Sequence, residues 1–573
     1  MRFSRLAIAT AVSLTFGSVT GTPGLTESTP GPATTPIKHV IVIIGENHTF
    51  DNVFATYVPK AGQKVENLLS EGIIAADGSP GPNVARAVQN TASDTATYSL
   101  TPDPAGPYPT LPQPNTTGAF PPFNSPDPRF PANLPNAPFQ ITKYVPYTAN
   151  FVGDPIHRFY QMAQQADGGR NDLFVWVANT TGKGDSGANP PAPIYQGGLA
   201  MGYYDVRGGD APFLKQWADQ YALADNYHQS AQGGTGVNHV MLGSADDVYF
   251  SDGKGNPLTP PTNQIENPNP KPGTNNNYSQ DGYAGGSYSN CSDPTQPGVG
   301  PVVAYLKATT PAASPNCAPG HYYLLNNYNP GFNADGTFST KSPFTVPPST
   351  VPTIADSLTA KGVSWGYFGE GWDAGHPDPA YCGICNPFQY ATSTMTNPSQ
   401  RAKIKGMPEF FTEAAGNSLP AVSYLKPNGL NDGHPASSQL AAFEDYTLNV
   451  VNAVKANPKL WRDTAIVVTM DEGGGYYDSG YIQPVSFLGD GTRIPTIVIS
   501  PFAKRGFVDH TYYDHVSVVK FIERNWGLPP LSTRSLDRLP NPVAGKANPY
   551  VPTNGPAVGD LLNLFDFTQA EGD

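Results

Sequence analysis

Charge is scarce in this 573-residue chain, and positive charge is scarcer still. Only 14% of the residues are Asp, Glu, Lys or Arg, and 33 basic side chains face 46 acidic ones, for a formal net charge of −13. Proteins that grip nucleic acid leave a basic footprint, so no nucleic-acid partner is expected. Beyond the first 20 residues no segment has the length and apolarity of a membrane-crossing helix, which takes about 20 apolar residues, so no stable membrane insertion is expected either. No internal repeat or heptad run is present, which removes solenoids and coiled coils. Cysteine is rare, with four in all. Cys291 and Cys317 flank a Pro- and Gly-rich stretch, while Cys382 and Cys385 form a CxxC. Four cysteines permit three pairings, of which Cys291–Cys317 with Cys382–Cys385 is favoured. A zinc site would want a second CxxC or a close His pair, and neither accompanies the first.

What the chain has in quantity is Gly and Pro, 59 and 62 residues, which fits long, rigid, solvated loops. The 30 Tyr and 27 Phe argue against disorder, because so aromatic a chain has surface it must bury. Arg2 and Arg5, the apolar residues 6–16 and the small residues 17–20 read as an export signal. Residues 21–36 follow as a linker, and 37–573 as one large domain. Residues 251–387, rich in Gly, Asn, Pro and Ser, are expected as a loop-dominated insertion in it.

Three β-branched runs stand out: 38–44 ending at Gly45, 465–470 ending at Asp471, and 495–500 ending at Pro501. Near-continuous apolar runs of this kind suit strands covered on both faces, as in a parallel sheet. Residues 440–454 carry Leu440, Phe443, Tyr446, Val450 and Val454 at helical spacing. Residues 516–526 do the same, with Asp514 as a cap candidate and Gly527 as a stop. Strands alternating with helices predict an α/β sandwich with a mostly parallel central sheet flanked by helices.

In such sheets functional groups gather where strands end at their carboxyl side. The first run delivers Glu46-Asn47-His48-Thr49-Phe50-Asp51, and the second Asp471-Glu472-Gly473-Gly474-Gly475. Carboxylate and amide oxygens converging from two strands are what a divalent cation needs. Between them lies Gly233-Gly234-Thr235-Gly236. Glycines there would let the backbone approach a phosphate closely and leave the threonine hydroxyl unscreened. A threonine hydroxyl is a poor nucleophile without a base or a metal to activate it.

The strand followed by Glu46-Asn47-His48-Thr49-Phe50-Asp51 resembles the opening signature of the family that joins bacterial phospholipases C and AcpA-type acid phosphatases, within the alkaline-phosphatase-like superfamily. Further matches, in family order, are His157-Arg158-Phe159-Tyr160, Met201-Gly202-Tyr203-Tyr204, Gly233-Gly234-Thr235 with Asn238-His239, His434-Pro435, Asp471-Glu472, and Arg493-Ile494-Pro495-Thr496 through to His515. The resemblance implies an alkaline-phosphatase-like α/β fold and a metal-dependent phosphoesterase. It also implies that Glu46, Asn47, Thr235, Asp471 and Glu472 surround a divalent metal, with Thr235 attacking phosphorus. His157 and His434 would contact phosphoryl oxygens or handle the leaving-group proton, and Asn47 would share its amide between metal and phosphate. A bound metal would also give this acidic chain the local positive centre that a phosphate substrate needs.

One departure is informative. Phospholipase-like members usually read Asp-Glu-His after the later strand, whereas this chain has Gly473. That feature, the Gly-Gly-Thr loop and the segment Tyr381-Cys382-Gly383-Ile384-Cys385 lean toward the acid-phosphatase branch and a phosphomonoester substrate, and they leave the metal number open. The alternatives are a phospholipase C acting on lipid head groups and an inert surface-binding protein. His510 and His515 are expected in a turn and a helix cap, with His376 and Glu370 at a pocket rim.

Overall fold

The computed structural model describes residues 33–93, 96–116, 125–149, 152–181, 197–269, 286–339 and 344–568. The expected export signal, 1–20, and most of the linker, 21–36, lie outside them. Eight strands form the central sheet: β1 (His39–Gly45), β2 (Ala222–Ala224), β3 (Trp365–Gly369), β4 (Ile404–Gly406), β5 (Val422–Lys426), β6 (Thr464–Met470), β7 (Thr496–Ile499) and β8 (Phe507–Asp509). Their spatial order is β4-β3-β5-β1-β6-β7-β2-β8. Every residue of β1 and β6 is buried. Successive side chains point to opposite faces, so both faces of the sheet centre are covered. That is why the two runs read as unbroken apolar stretches.

The expected mostly parallel α/β architecture is the one observed, with β7 as the exception. It runs antiparallel to both of its neighbours, β6 and β2. The residues before it, including Arg493, therefore return to the edge at which the parallel strands end. β1 and β6 pair in register from His39 opposite Thr464 to Gly45 opposite Met470. Because they end level, Glu46 and Asp471 emerge side by side, and the Asp471 amide donates to the Gly45 carbonyl at 3.0 Å.

Three helices position the site. α1 (Thr235–Ser244) is buried at every residue and is tied to β5 by the Tyr424 hydroxyl, which donates to the Leu242 carbonyl at 3.1 Å. α2 (Leu440–Lys455) lays Phe443 on the end of β1, so closely that a Cβ at Gly45 would sit 2.9 Å from its ring. α3 (Val516–Trp526) begins two residues after Asp514, whose carboxylate accepts the Val516 amide at 2.9 Å. Gly527 closes it in the left-handed conformation at φ 58°.

Residues 251–387 carry more order than their composition suggests. They contain helices Val299–Ala308 and Ile354–Lys361, and β3 belongs to the central sheet. Tyr288, Tyr322, Leu324, Tyr328 and Val346 form a small tyrosine-rich core with Val240, Val248 and Tyr390, while Tyr323, Phe332, Trp365, Tyr367 and Phe368 join the main core. Cys291–Cys317 and Cys382–Cys385 are both disulfides, with Cα–Cα distances of 5.7 and 5.3 Å. Among the described residues no helix is long and apolar enough to cross a membrane.

Candidate active site

Asn47 follows Glu46 at φ 62°, a left-handed conformation that Asn tolerates better than most residues. This kink turns its amide onto Asp471 Oδ1 at 3.1 Å and its side-chain Nδ2 onto Asp154 Oδ1 at 3.4 Å. The turn from β6 packs tightly against it, since a Cβ at Gly474 would lie 2.6 Å from Asn47 Cβ. Gly473 is equally hemmed in. A Cβ there would meet Thr492 Oγ1 at 2.3 Å and Thr49 Cγ2 at 2.7 Å, so the space a histidine would need is filled.

Thr235 is the first residue of α1. Its hydroxyl lies 3.2 Å from Glu46 Oε2 and 3.4 Å from Glu472 Oε1. The glycines around it have a packing reason besides the one read from sequence. A Cβ on Gly233 would fall 1.8 Å from the Leu325 carbonyl oxygen, and the Gly236 amide donates to Asn327 Oδ1 at 2.6 Å. Glu46, Asn47, Thr235, Asp471 and Glu472 are thus brought together at the carboxyl edge of the sheet, all of them buried.

So many carboxylates in one dry place cannot all ionise. Burial works against the charge of Glu46, but Lys426 Nζ, 2.9 Å from Oε1, together with His239, the Asp471 hydrogen bond and His434, holds the carboxyl below its usual range. Asp471 is driven well above the usual range by burial and by repulsion from Glu46 and Glu472. Glu46 therefore carries the charge and Asp471 the proton. Lys426 also lies 3.3 Å from Asp432, and these two carboxylates keep it charged against the cost of burial.

The arrangement fits a divalent cation. Asn47 Oδ1 is buried without a hydrogen-bond partner, although buried oxygens normally have one, and Asp471 has only the crowded Glu46 carboxylate to share a proton with. A cation takes oxygen ligands of this kind and would replace the proton that Asp471 holds. His239 joins this group: Glu46, His239 and Asp471 offer ligand atoms within 4.8 Å of one another. Its Nδ1 donates to the Thr235 carbonyl at 2.9 Å, and its Nε2 is buried without a partner. Burial lowers its pKa to about 4, so the ring is neutral. Sequence reading matched Asn238-His239 but gave His239 no role; its place four residues after Thr235 on one helix face was the available signal.

The two predicted histidines form a second group, gathered on Asp154. His157 Nδ1 lies 3.6 Å from Asp154 Oδ1, and His434 Nε2 lies 3.6 Å from Oδ2. The rings differ in tautomer. His157 Nδ1 donates to the Pro155 carbonyl at 2.7 Å, whereas His434 Nδ1 accepts the Ala436 amide at 3.3 Å. When neutral, the His434 ring therefore carries its proton on Nε2. Its side chain is 14% exposed, against 1% for His157, so His434 stands on the open side. Asn47, bonded to both Asp471 and Asp154, bridges the two groups. Asp154 and Lys426 had no sequence signal of their own.

The remaining candidates lie around this centre. His515 Nε2 donates to the Asp471 carbonyl at 2.5 Å from behind, and burial lowers its pKa to about 3. His510 pairs with Asp225 at 2.8 Å. Arg493, fully buried, holds Asp478 at 2.8 Å and Asp51 at 3.2 Å, clamping the chain leaving β1 to the chain leaving β6.

A threonine among buried carboxylates at the carboxyl edge of an α/β sheet, with two histidines alongside, defines the class of site. Residues 37–529 match the model of the phosphoesterase family, and the chain belongs to that family. It is 30% identical to an acid phosphatase of Aspergillus niger over 197 residues, 32% of this chain and 44% of that protein. It is 24% identical to phospholipase C A of Mycobacterium tuberculosis over 445 residues, 73% of this chain and 64% of that one. The chain thus spans less than two thirds of the length of either relative. A solved protein of the alkaline phosphatase superfamily from Vibrio parahaemolyticus is 12% identical, with a TM-score of 0.25 over 55% of this chain and 59% of that one.

Proposed function

We propose that this protein is an exported, metal-dependent phosphatase that hydrolyses phosphomonoesters through a phosphothreonine at Thr235. The observation that carries the reading is the Thr235 hydroxyl at the start of α1, within 3.4 Å of Glu46 and Glu472. Glu46, Asn47, Thr235, Asp471 and Glu472 would hold the divalent cation, with His239 beside them. When bound, it supplies positive charge against the phosphoryl oxygens and lowers the cost of ionising the threonine.

Thr235 Oγ1 attacks phosphorus and passes its proton to a neighbouring carboxylate oxygen. The P–O bond to the alcohol breaks as the new one forms. His434, with its proton on Nε2, donates a hydrogen bond to the departing alcohol oxygen, which takes its proton from water on the open side of the site. His157 and the Asn47 amide orient the phosphoryl oxygens, so catalysis rests on positioning and charge neutralisation. In the second half water attacks phosphorus and gives up a proton to solvent, the P–O bond to Thr235 breaks, and the carboxylate returns its proton to the Thr235 hydroxyl. The export signal expected at 1–20 and the two disulfides support a periplasmic or extracellular location.

A second reading, phospholipase C, is favoured by the long alignment to the mycobacterial enzyme. The filled space around Gly473 supports the monoester reading instead. Hydrolysis of p-nitrophenyl phosphate beside p-nitrophenyl phosphocholine, with and without chelator, separates the two. Metal-dependent monoester turnover lost in Thr235→Val is the expected result. Diester preference would move the protein to the phospholipase branch, and an active Thr235→Val would remove the nucleophile. An inert, metal-loaded wild type would leave a binding protein.

A further inference from the structure

The insertion at residues 251–387 meets both halves of the reacting centre through one short segment, Leu325-Asn326-Asn327. The strand Tyr323–Leu324 leads into it and pairs antiparallel with Tyr288–Ser289. The Leu325 amide then donates to the Ser287 carbonyl at 2.7 Å, and Asn326 and Asn327 are both buried. Leu324 before them and Tyr328 after them belong to the tyrosine-rich core, so the segment is held at both ends.

Asn327 faces the nucleophile loop. Its Oδ1 accepts the Gly236 amide at 2.6 Å, and the Asn326 carbonyl accepts the Val237 amide at 3.2 Å. Two amides in the first turn of α1, which have no partner within the helix, therefore end on this segment. A Cβ on Gly234 would fall 2.9 Å from Asn327 Oδ1, and one on Gly236 would fall 3.0 Å from the Asn326 carbonyl oxygen. Positions 234 and 236 thus point at the segment, while the Thr235 hydroxyl between them points at Glu46 and Glu472. The segment backs the nucleophile on the side away from the carboxylates.

Asn326 faces the histidine. Its Oδ1 accepts the Phe159 amide at 2.8 Å, at the start of the helix Phe159–Ala166, two residues after His157. Its Nδ2 donates to Glu266 at 3.2 Å. Glu266 pairs with Arg158, whose guanidinium also donates to the Gly286 carbonyl at 2.6 Å. The chain that carries His157 is thereby bound to the same insertion. A carboxylate would accept at a helix start as well as a carboxamide does. At 327 it would add negative charge behind a hydroxyl that already faces two carboxylates, and asparagine supplies the acceptor without that charge.

We infer that Asn326 and Asn327 are positioning residues, which hold His157 and Thr235 in one frame so that a phosphoryl group meets both. The inference rests on the roles proposed for Thr235 and His157 and adds what keeps them in place.

The test compares Asn326→Ala, Asn327→Ala and Val346→Ala with wild type. Val346 is buried in the tyrosine-rich core, so its truncation destabilises the insertion while leaving both asparagines in place. On p-nitrophenyl phosphate with saturating Mn²⁺, each asparagine variant should lose roughly tenfold to a hundredfold in kcat, as misplaced reacting groups do, and keep KM within about threefold. Val346→Ala should lower the unfolding midpoint at least as far and keep kcat within about twofold. Calorimetric titration with Mn²⁺ alone needs no turnover. Thr235 is among the groups proposed to hold the cation and His157 is not, so Asn327→Ala should bind Mn²⁺ roughly tenfold more weakly and Asn326→Ala as wild type does. If an alanine variant does not fold, serine at that position, which keeps a polar group but falls short of the amide, is read in its place. Unchanged kcat in either asparagine variant, or a loss in Val346→Ala that follows its stability in the same way, would overturn the inference and leave the phosphatase reading standing. If wild type turns over no monoester, the phosphatase reading falls and the titration decides. Weakened binding confined to Asn327→Ala then upholds the frame around Thr235, and equal binding in all four proteins removes it.

Discussion

Lys426 is the sharpest lever on the site, because its ammonium is the only cation in direct contact with Glu46 among the described residues. It is buried, 2.9 Å from Glu46 and 3.3 Å from Asp432. Lys426→Met keeps the length of the stem and removes the charge, leaving two buried carboxylates without their partner. Breaking a buried pair from one side costs about 3–5 kcal/mol. An unfolding entropy of about 2.1 cal/mol/K per residue gives roughly 1.2 kcal/mol/K for a chain of this size, so the midpoint should fall by about 3–4 °C. That fall should appear in full with chelator present. With a saturating divalent cation it should shrink, because the cation then meets the Glu46 charge and binds only the folded state. Thermal unfolding of both proteins in both conditions checks this. An equal loss with and without the cation would show that Lys426 and the cation do not answer the same charge, and would refute the reasoning.

Two other perturbations test the electrostatics around the site. Arg493→Met should cost at least as much as Lys426→Met, about 3–5 kcal/mol, because it strands Asp478 and Asp51 together. Asp51, already raised to about 8 by burial and by Asp478, would bind more protons folded than unfolded, so urea titrations should find the variant losing stability as pH rises from about 4 toward 8. The pKa of His510 is raised because Asp225, 2.8 Å away, outweighs partial burial. A raised histidine stabilises fully below its unfolded value of about 6.5, and that stability is lost as pH climbs through the higher folded value. His510→Gln should therefore be less stable than wild type at pH 5 and close to it at pH 9, and an equal deficit at both would refute the pairing.

Which parts of this fold could be read in advance follows from which physics is local. β1 and β6 were legible because a strand covered on both faces must be apolar at every position. β7 was legible as a strand but not as a reversed one, since an apolar run carries no direction. β2, an Ala-Leu-Ala segment, and β3, interrupted by Gly366, present too little pattern to stand out, although both are central to the sheet. Ser251 to Pro387 looked like loop because Gly and Pro dominate its composition, while its ordering comes from tyrosines that meet only in three dimensions. At the site, Glu46, Asn47, Asp471 and Glu472 were visible as strand exits. Lys426 also ends a strand, yet nothing in its own segment shows that the strand lies beside β1. Asp154 is known only through the histidines and the asparagine that converge on it.

The register of β1 and β6 explains why the site needs its other parts. Two strands ending level put Glu46 and Asp471 next to one another whatever else the chain does, and burial makes that neighbourhood unfavourable. The protein offsets it with Lys426 on Glu46, with a proton on Asp471 and with amides at Asn47 and Glu472 that donate to Asp471 Oδ1. What is left, an unpartnered Asn47 Oδ1 and the crowding of Glu46 with Asp471, points to the one ligand that would answer both. Affinity for a cation and stability of the sheet edge are then a single quantity. Any substitution that relieves the crowding of Glu46 and Asp471 should stabilise the metal-free protein and weaken its hold on the metal.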